Sequence, residues 1–446
     1  MCFGTTPRII LVTIITLLSS HAEKAQAEYV LDAGEWNSVD TTTAIQTALN
    51  SSESIIRFTA VAVPNGETWI TGPLRVPSNK TIYIEAGVRI KGKIGAFVTG
   101  DDAIFIMRRT TSSSPRPSNI SIIGTNYLSK ARIEFDPNDP NIYNDERRHA
   151  FAITNSDNIL IDNIQITYTY GDGIFIGDDN QAFEPKANRN STYVTVRNSI
   201  IDRASRNGIS INAGKHILIQ NCAIRNTFSI KPGIASNGPW AGVDIEPDQS
   251  EHPLTDIQIN DCDFFDNKTH GILMELANAA ADQDNYNISI SVDRARVDGS
   301  GISGHWITNA LPHLKGSILV KNGYVKNTNS AGIVVRDKAK VGPAVEFRDL
   351  TIDNVNLTNP GQPNDVAPIV VYKQTVSPPS SLNFTDGEIY LNHLIVANNA
   401  QRAYVLRAAG RSGYLMNHVW GSIDLQNSSN NLISTNFVTN INVTVY

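Results

Sequence analysis

The sequence predicts an all-β chain wound as a single-stranded parallel β-helix, a solenoid whose first end is closed by a capping helix. Three observations carry this. A glycine followed by Ile or Val recurs about every 30 residues, an Asn or Asp keeps step ten residues ahead of it, and the segments between are short, β-branched and broken by Asn and Gly.

The glycine pattern is read from "GDGIFIGDD", "RNGISINAG", "WAGVDIEPD", "THGILMELA", "GSGISGHWI" and "SAGIVVRDK". It picks out Gly173, Gly208, Gly242, Gly271, Gly301 and Gly332. Asn163, Asn198, Asp261 and Asn322 are the matching polar markers. Leucine-rich repeats would show Leu at these places, and helical repeats a 3.6-residue period that is missing.

The elements follow in chain order. Residues 1–27 read as a secretory signal, with Arg8 ahead of the apolar "IILVTIITLL" and Ala25-Gln26-Ala27 as the cleavage site. Residues 28–446 are the β-helix domain. "DTTTAIQTALNS" reads as the cap, with Asp40 as N-cap and Ala44, Ile45, Ala48 and Leu49 at helical spacing. "TGPLRVPSNKTIYIEAGVRIKG" supplies the first coils. After residue 340 the strand character persists in "VEFRDLTIDNVNLTN" and "GEIYLNHLIVANN", but the glycine marker fades.

The net charge of −6 becomes one unit more negative once Arg8, Glu23 and Lys24 leave with the signal. Such a chain is a poor partner for nucleic acid or an anionic membrane. Cys222 and Cys262 are the two cysteines left, at matching places in "IQNC" and "INDC", and read as stacked core thiols rather than a disulfide framework. The mature chain is expected to be a secreted or periplasmic monomer.

The cap, "SNKTIYIEAGVRI" and the "DGIFIG…NGISI…GVDIEP" series resemble the secreted right-handed parallel β-helix proteins of the pectin-lyase-like superfamily, with the polygalacturonase-like branch nearest. The resemblance implies a right-handed solenoid and a polysaccharide substrate. Within that branch a paired Asp-Asp matches Asp178-Asp179, and Asp172 precedes a Gly-Ile. Asn207 stands where a His is usual, and no Arg-Ile-Lys follows, so the resemblance extends to polysaccharides in general rather than to pectin.

Side chains alternate across a strand, so the residue after each marker glycine faces the core, and those two and four after it face outward. The fourth-position column reads Gly177, Asn212, Glu246, Glu275, His305, Arg336, and the second-position column Phe175, Ser210, Asp244, Leu273, Ser303, Val334. One outward carboxylate alone is ordinary surface charge. A column polar at five successive coils, with both signs and an imidazole, points to a groove of titratable groups. Asp244, Glu246 and Glu275 are the candidate catalytic residues. Glu246 and Glu275 should stack one coil apart, raising one pKa to give a general acid, with Asp244 ionised as the base.

Asp178, Asp179, Arg206, Asn212, Trp240, His270, His305 and Arg336 are the candidate substrate-binding residues. Trp240 closes a Gly/Pro/Ser-rich insertion and offers either a sugar platform or packing for that loop. Glycoside hydrolysis is the reading favoured. A uronate lyase or epimerase would use His305, Arg336 or Lys338 as base, and a non-enzymatic polysaccharide-binding solenoid is the third reading. No cofactor is expected for hydrolysis; calcium near Asp178 enters only with elimination.

Overall fold

In the computed structural model, the described residues are 27–446 except 62–63, 99–102, 140–146, 179–187, 229–236, 251, 280–285, 356–366, 375–385, 399–403, 411–415, 429–432 and 437. The signal at residues 1–27 therefore lies outside them save for Ala27, as does Asp179.

The described chain is a parallel β-helix of three-sided coils. One coil runs through a long strand Asp157–Asp162, a short strand Ile164–Thr167 and a third strand Ile174–Gly177. The next repeats this with Ser191–Arg197, Ile200–Asp202 and Ile209–Ile211. Long and short strands join into a 24-stranded sheet, and the third strands stack into a separate sheet of 12. The third-strand sheet carries the glycine pattern.

The polar markers explain the corner between long and short strands. Asn163, Asn198, Asp261 and Asn322 have φ of 60°, 52°, 55° and 54°, a left-handed conformation that Asn and Asp tolerate better than most residues. Their side chains tie coils together: Asn221 Nδ2 donates to Asn198 Oδ1 at 2.7 Å, and Asn198 Nδ2 to Asp162 Oδ1 at 2.8 Å.

The glycines mark a close approach. A Cβ on Gly208 would lie 2.2 Å from Ile224 Cγ2 and 2.6 Å from the Gly242 carbonyl oxygen. One on Gly242 would lie 2.6 Å from both Phe264 Cδ1 and the Gly271 oxygen. Only glycine lets the chain pass between the core residue of the next coil and that coil's own backbone. Register follows: Ile209 lies on Val243, and Val243 on Ile272, all fully buried.

Gly301 does not belong to this column. His270 pairs with Ser303 and Ile272 with His305, so Gly304 takes the place, and a Cβ on Gly271 would meet the Gly304 oxygen at 2.8 Å. "GSGISGHWI" holds two glycines three residues apart, and the Gly-Ile pattern selects the wrong one. Further on, Pro368 stands in the column, its carbonyl taking the Gly332 N–H at 2.8 Å, which is why the marker fades although strands continue to Val445.

The cap helix is Thr42–Asn50, with Ile45, Ala48 and Leu49 buried. Thr41 holds the N-cap place, while Asp40 Oδ1 accepts from the Thr42 N–H at 2.9 Å. Cys222 and Cys262 are buried free thiols packed against each other one coil apart.

Gly208→Ala should cost about 1–3 kcal/mol through overpacking. Gly34→Ala should stay within about 0.5 kcal/mol, since the nearest atom to its added Cβ is Asp32 Oδ1 at 3.5 Å. Urea unfolding of both variants checks this; equal stabilities would remove the close approach as the reason for the column.

Candidate active site

The third-strand sheet presents its outer face as three columns, two set by the pleat and one by the turn that precedes the strands. The column just before the glycines contains Asp172, Asn207, Ala241, His270 and Ser303. The column two residues after them, by strand register, reads Phe175, Ser210, Asp244, Leu273, Trp306 and Val334. Four residues after the glycines come Gly177, Asn212, Glu246, Glu275, Thr308 and Arg336, the last three in paired register.

Polar groups converge at the centre. Asp244 is buried; Asn207 Nδ2 donates to its Oδ2 at 2.9 Å and also to Ser210 Oγ at 3.0 Å. Asn207 Oδ1 in turn accepts from the Ala241 N–H at 2.9 Å, so this amide is locked on every side. Asp244 Oδ1 is buried with no hydrogen-bond partner. Burial, then the charge of Glu246, pushes the Asp244 carboxyl well above the ordinary carboxylate range, with Arg206 opposing.

Glu246 sits at the mouth of this cluster, its side chain about one-third exposed at 35%. Burial raises its pKa too; Arg206 opposes, and the charges of Asp248 and Glu275 add to the rise. Arg206 bridges the two depths of the site. Its Nη1 meets both oxygens of the fully buried Asp172 at 3.1 and 3.2 Å, and its Nη2 lies 4.0 Å from Glu246 Oε2. Nε donates to the Gly238 carbonyl at 3.0 Å, which places the segment ending in Trp240 beside the site.

Glu275 stacks on Glu246 but lives in the opposite electrostatic surroundings. Asn309 Nδ2 donates to its Oε1 at 2.6 Å, and Arg336 Nη2 lies 3.5 Å from its Oε2. Arg336 is itself held over the Trp306 ring at 5.5 Å and donates to Thr308 Oγ1 at 2.7 Å. His270 is buried, with Nδ1 2.8 Å from Ser303 Oγ; burial, then Arg336, drives its pKa down to about 3, so the ring is neutral.

The structure thus brings Asp244, Glu246, Glu275, Arg206, Arg336 and His270 into one groove. Asn212 borders it, its Nδ2 donating to Asp248 Oδ2 at 2.5 Å. Trp240 is half-buried and packs edge-on against Phe228 at 5.0 Å, so loop packing occupies at least one edge of its ring. Asp178 turns away from solvent to His252, Oδ2 to Nε2 at 3.1 Å, both side chains buried.

Three expectations are corrected. His305 does not line the groove: the slip from Gly301 to Gly304 puts it in the inward column between Ile272 and Ile333, with both ring nitrogens buried and unpartnered, and burial lowers its pKa to about 4. Trp306, not Ser303, takes the outward place. Asp244 does not fit the ionised base: it lies deepest, and burial pushes its carboxyl toward the neutral form. Lys338 is also buried, its Nζ donating to the Ala339 carbonyl at 2.7 Å.

Asn207, Ser210, Trp306, Asn309 and His252 are additions to the predicted set. Register would have found Trp306 and Ser210; the other three depend on turns that strand periodicity does not describe. Among the described residues, no group of three or more His, Cys, Asp or Glu is placed to hold a metal ion, and no helix is long and apolar enough to cross a membrane.

Comparison with known proteins shows the fold. A family model described as a right-handed beta helix region matches residues 88–289. A curated relative, the SPbeta prophage-derived uncharacterized protein YorA of Bacillus subtilis (strain 168), is 24% identical over 279 residues, 58% of this chain and 46% of its own length. The chain thus spans about half of that relative. Among solved structures, bacteriophage phi29 gene product 12 in its pre-mature form aligns with a TM-score of 0.64 at 14% identity, covering 92% of this chain and 50% of that one. A Yersinia enterocolitica family 28 exopolygalacturonase gives 0.59 at 11% identity, covering 93% and 79%. The A-module of an Azotobacter vinelandii mannuronan C-5 epimerase, AlgE4, gives 0.58 at 11%, covering 91% and 94%. The fold is the right-handed parallel β-helix, which the chain shares with a phage protein, an exopolygalacturonase and an epimerase module.

A raised carboxyl pKa means that the folded state holds a proton the unfolded state releases. The stability this gives is complete below the unfolded pKa of about 3.9 and is lost as pH rises through the folded value. Asp244→Asn should remove that loss. The variant's Tm advantage over wild type should grow between pH 4 and pH 8 in a calorimetric series; a flat or falling difference would show that Asp244 is ionised.

Proposed function

We propose that this right-handed parallel β-helix is a secreted glycoside hydrolase that cuts a polysaccharide lying along the outer face of the third-strand sheet. The observation that carries the reading is the stacked pair Glu246 and Glu275: two carboxyls one coil apart in opposite surroundings. Glu246 keeps a raised pKa and reaches the solvent, so it is the general acid that protonates the glycosidic oxygen. Glu275, ion-paired with Arg336 and hydrogen-bonded by Asn309, is the carboxylate partner. Asp244 is a positioning residue whose buried, protonated carboxyl sits behind Glu246, and Arg206 moderates the rise in Glu246.

Stacked strands lie about 4.8 Å apart. That spacing is close to the ~5–5.5 Å of retaining enzymes and short of the ~6.5–9.5 Å that leaves room for an inverting water. Carboxyls held at that separation would act with retention of anomeric configuration, which the first anomer formed reports. Elimination or epimerisation on a uronate polymer, the alternative read from the sequence, has less support. His305 faces the core, Lys338 is buried, and Arg336 is engaged with Glu275 and Thr308.

Glu246→Gln should lower kcat by roughly 10²–10⁴-fold with the fold intact. The assay is reducing-end release from a panel of neutral and uronate polysaccharides, with proton NMR of the first anomer formed. Unsaturated, ultraviolet-absorbing products would replace hydrolysis by elimination, and binding without any product would leave a carbohydrate-binding solenoid.

Asp248→Asn tests the tuning separately. Asp248 raises the Glu246 pKa from outside the reacting pair, and Asn keeps an acceptor for Asn212. The alkaline limb of the kcat/KM profile should therefore move to lower pH while the plateau holds. An unmoved limb would mean that Glu246 is not the group titrating.

A further inference from the structure

On the outer face of the long strands, the last coils carry aromatic rings and fixed polar groups together. Tyr390 lies opposite Trp420 in register, their rings 5.3 Å apart, and His418 packs on Trp420 at 4.8 Å. All three are half-buried. The column leading to Tyr390 contains Leu319 and Glu346, while the column beside it shrinks to Ser317 and Ala344 before Glu388. Side-chain height therefore drops and then rises into an aromatic wall. The step leaves a depression of about 230 Å³, lined by Ser317, Leu319, Ala344, Glu346, Tyr390 and Asn392. A larger one, about 490 Å³, lies past the corner at Asp349 and His393, beside the short strand Thr351–Asp353.

The polar groups at the rim are held in place. Arg348 Nη2 lies 2.7 Å from Glu346 Oε1, and Asn392 Nδ2 donates to the same oxygen at 2.8 Å. Tyr390 Oη donates to Glu388 Oε2 at 2.8 Å. A cross-strand aromatic pair stabilises a sheet by itself. It needs neither the notch nor the ordered carboxylates around it.

We propose that this face is a second, non-catalytic binding site for a neutral oligosaccharide. The apolar face of a sugar ring stacks on Tyr390 and Trp420. Its hydroxyls donate to Glu346 and Glu388 and accept from Arg348 and Asn392. Among the described rim residues, the carboxylates Glu346 and Glu388 outnumber the guanidinium of Arg348, so the surface selects an uncharged sugar over a uronate. This site does not depend on hydrolysis in the groove, and it would hold the solenoid on a polymer in either case.

The test is tryptophan fluorescence of the full chain titrated with cellohexaose, maltohexaose, mannohexaose and oligogalacturonate. A saturable change is expected with at least one neutral oligomer and none with oligogalacturonate. Trp420→Ala should abolish it and Trp306→Ala, which alters the groove, should keep it. Glu388→Gln leaves the aromatic stack in place and should weaken binding about tenfold, which reads the same site should Trp420→Ala not fold. A response absent with every neutral oligomer, or one that survives Trp420→Ala and vanishes in Trp306→Ala, overturns the proposal.

Discussion

The molecule depends on one close approach per coil. Where Gly208 passes beneath Ile224 and over the carbonyl of Gly242, no side chain fits. That passage fixes how far each coil can slide on the next, and with it the register of the third-strand sheet. Because side chains alternate with a period of two, a slip of one residue would send the core column outward and the polar columns inward. Stacking Asp244, Glu246 and Glu275 on one outer face is therefore a consequence of the glycines that precede them.

Stacking also sets the electrostatics. Coils about 4.8 Å apart force like charges together, and the groove meets this with two arginines used differently. Arg206 reaches inward, with its Nη1 on buried Asp172 and its Nη2 4.0 Å from Glu246. Arg336 is fixed over Trp306 and pairs with Glu275. One carboxylate of the stacked pair is left with a raised pKa, and its neighbour has a cation of its own. Equal neutralisation of both would remove the asymmetry that acid and base roles require.

Much of the solenoid was legible because its signals are local. The Asn and Asp at left-handed corners, the alternation of Ile and Val, and the amphipathic Thr42–Asn50 helix each follow from a few neighbouring residues. The groove was legible only as far as register was. Up to Gly271 a Gly-Ile pattern identifies the column correctly, and Glu246 and Glu275 fall where expected. At "GSGISGHWI" two glycines compete, and choosing Gly301 over Gly304 exchanged His305 for Trp306 and inside for outside. Burial was not legible at all for Asp244. Its depth depends on Asn207, Ser210 and the turn before Ala241, which come together only when three coils are stacked.

The outward column that holds Asp244 shows why the site stands out from a solvated face. Between Arg75 at one end and Arg407 at the other it runs Ile106, Ala152, Phe175, then Ser210 and Asp244, then Leu273, Trp306, Val334 and Val370. Apolar residues on both sides form small clusters of their own outside the main core, Ala103 with Ile106 and Ala152, and Ala331 with Val334, Val370 and Tyr372. Between Ile106 and Val370 the pattern breaks at two coils, and it breaks with a carboxyl that is buried and keeps one oxygen unpartnered. A chain gains nothing in stability from such a group; an apolar residue there would continue the column on both sides without the desolvation cost. Departures from local consistency of this kind concentrate where chemistry needs them. The position of that break, directly behind Glu246 and within reach of Arg206 through Ser210, ties the least stable feature of the outer face to the carboxyl proposed as its acid.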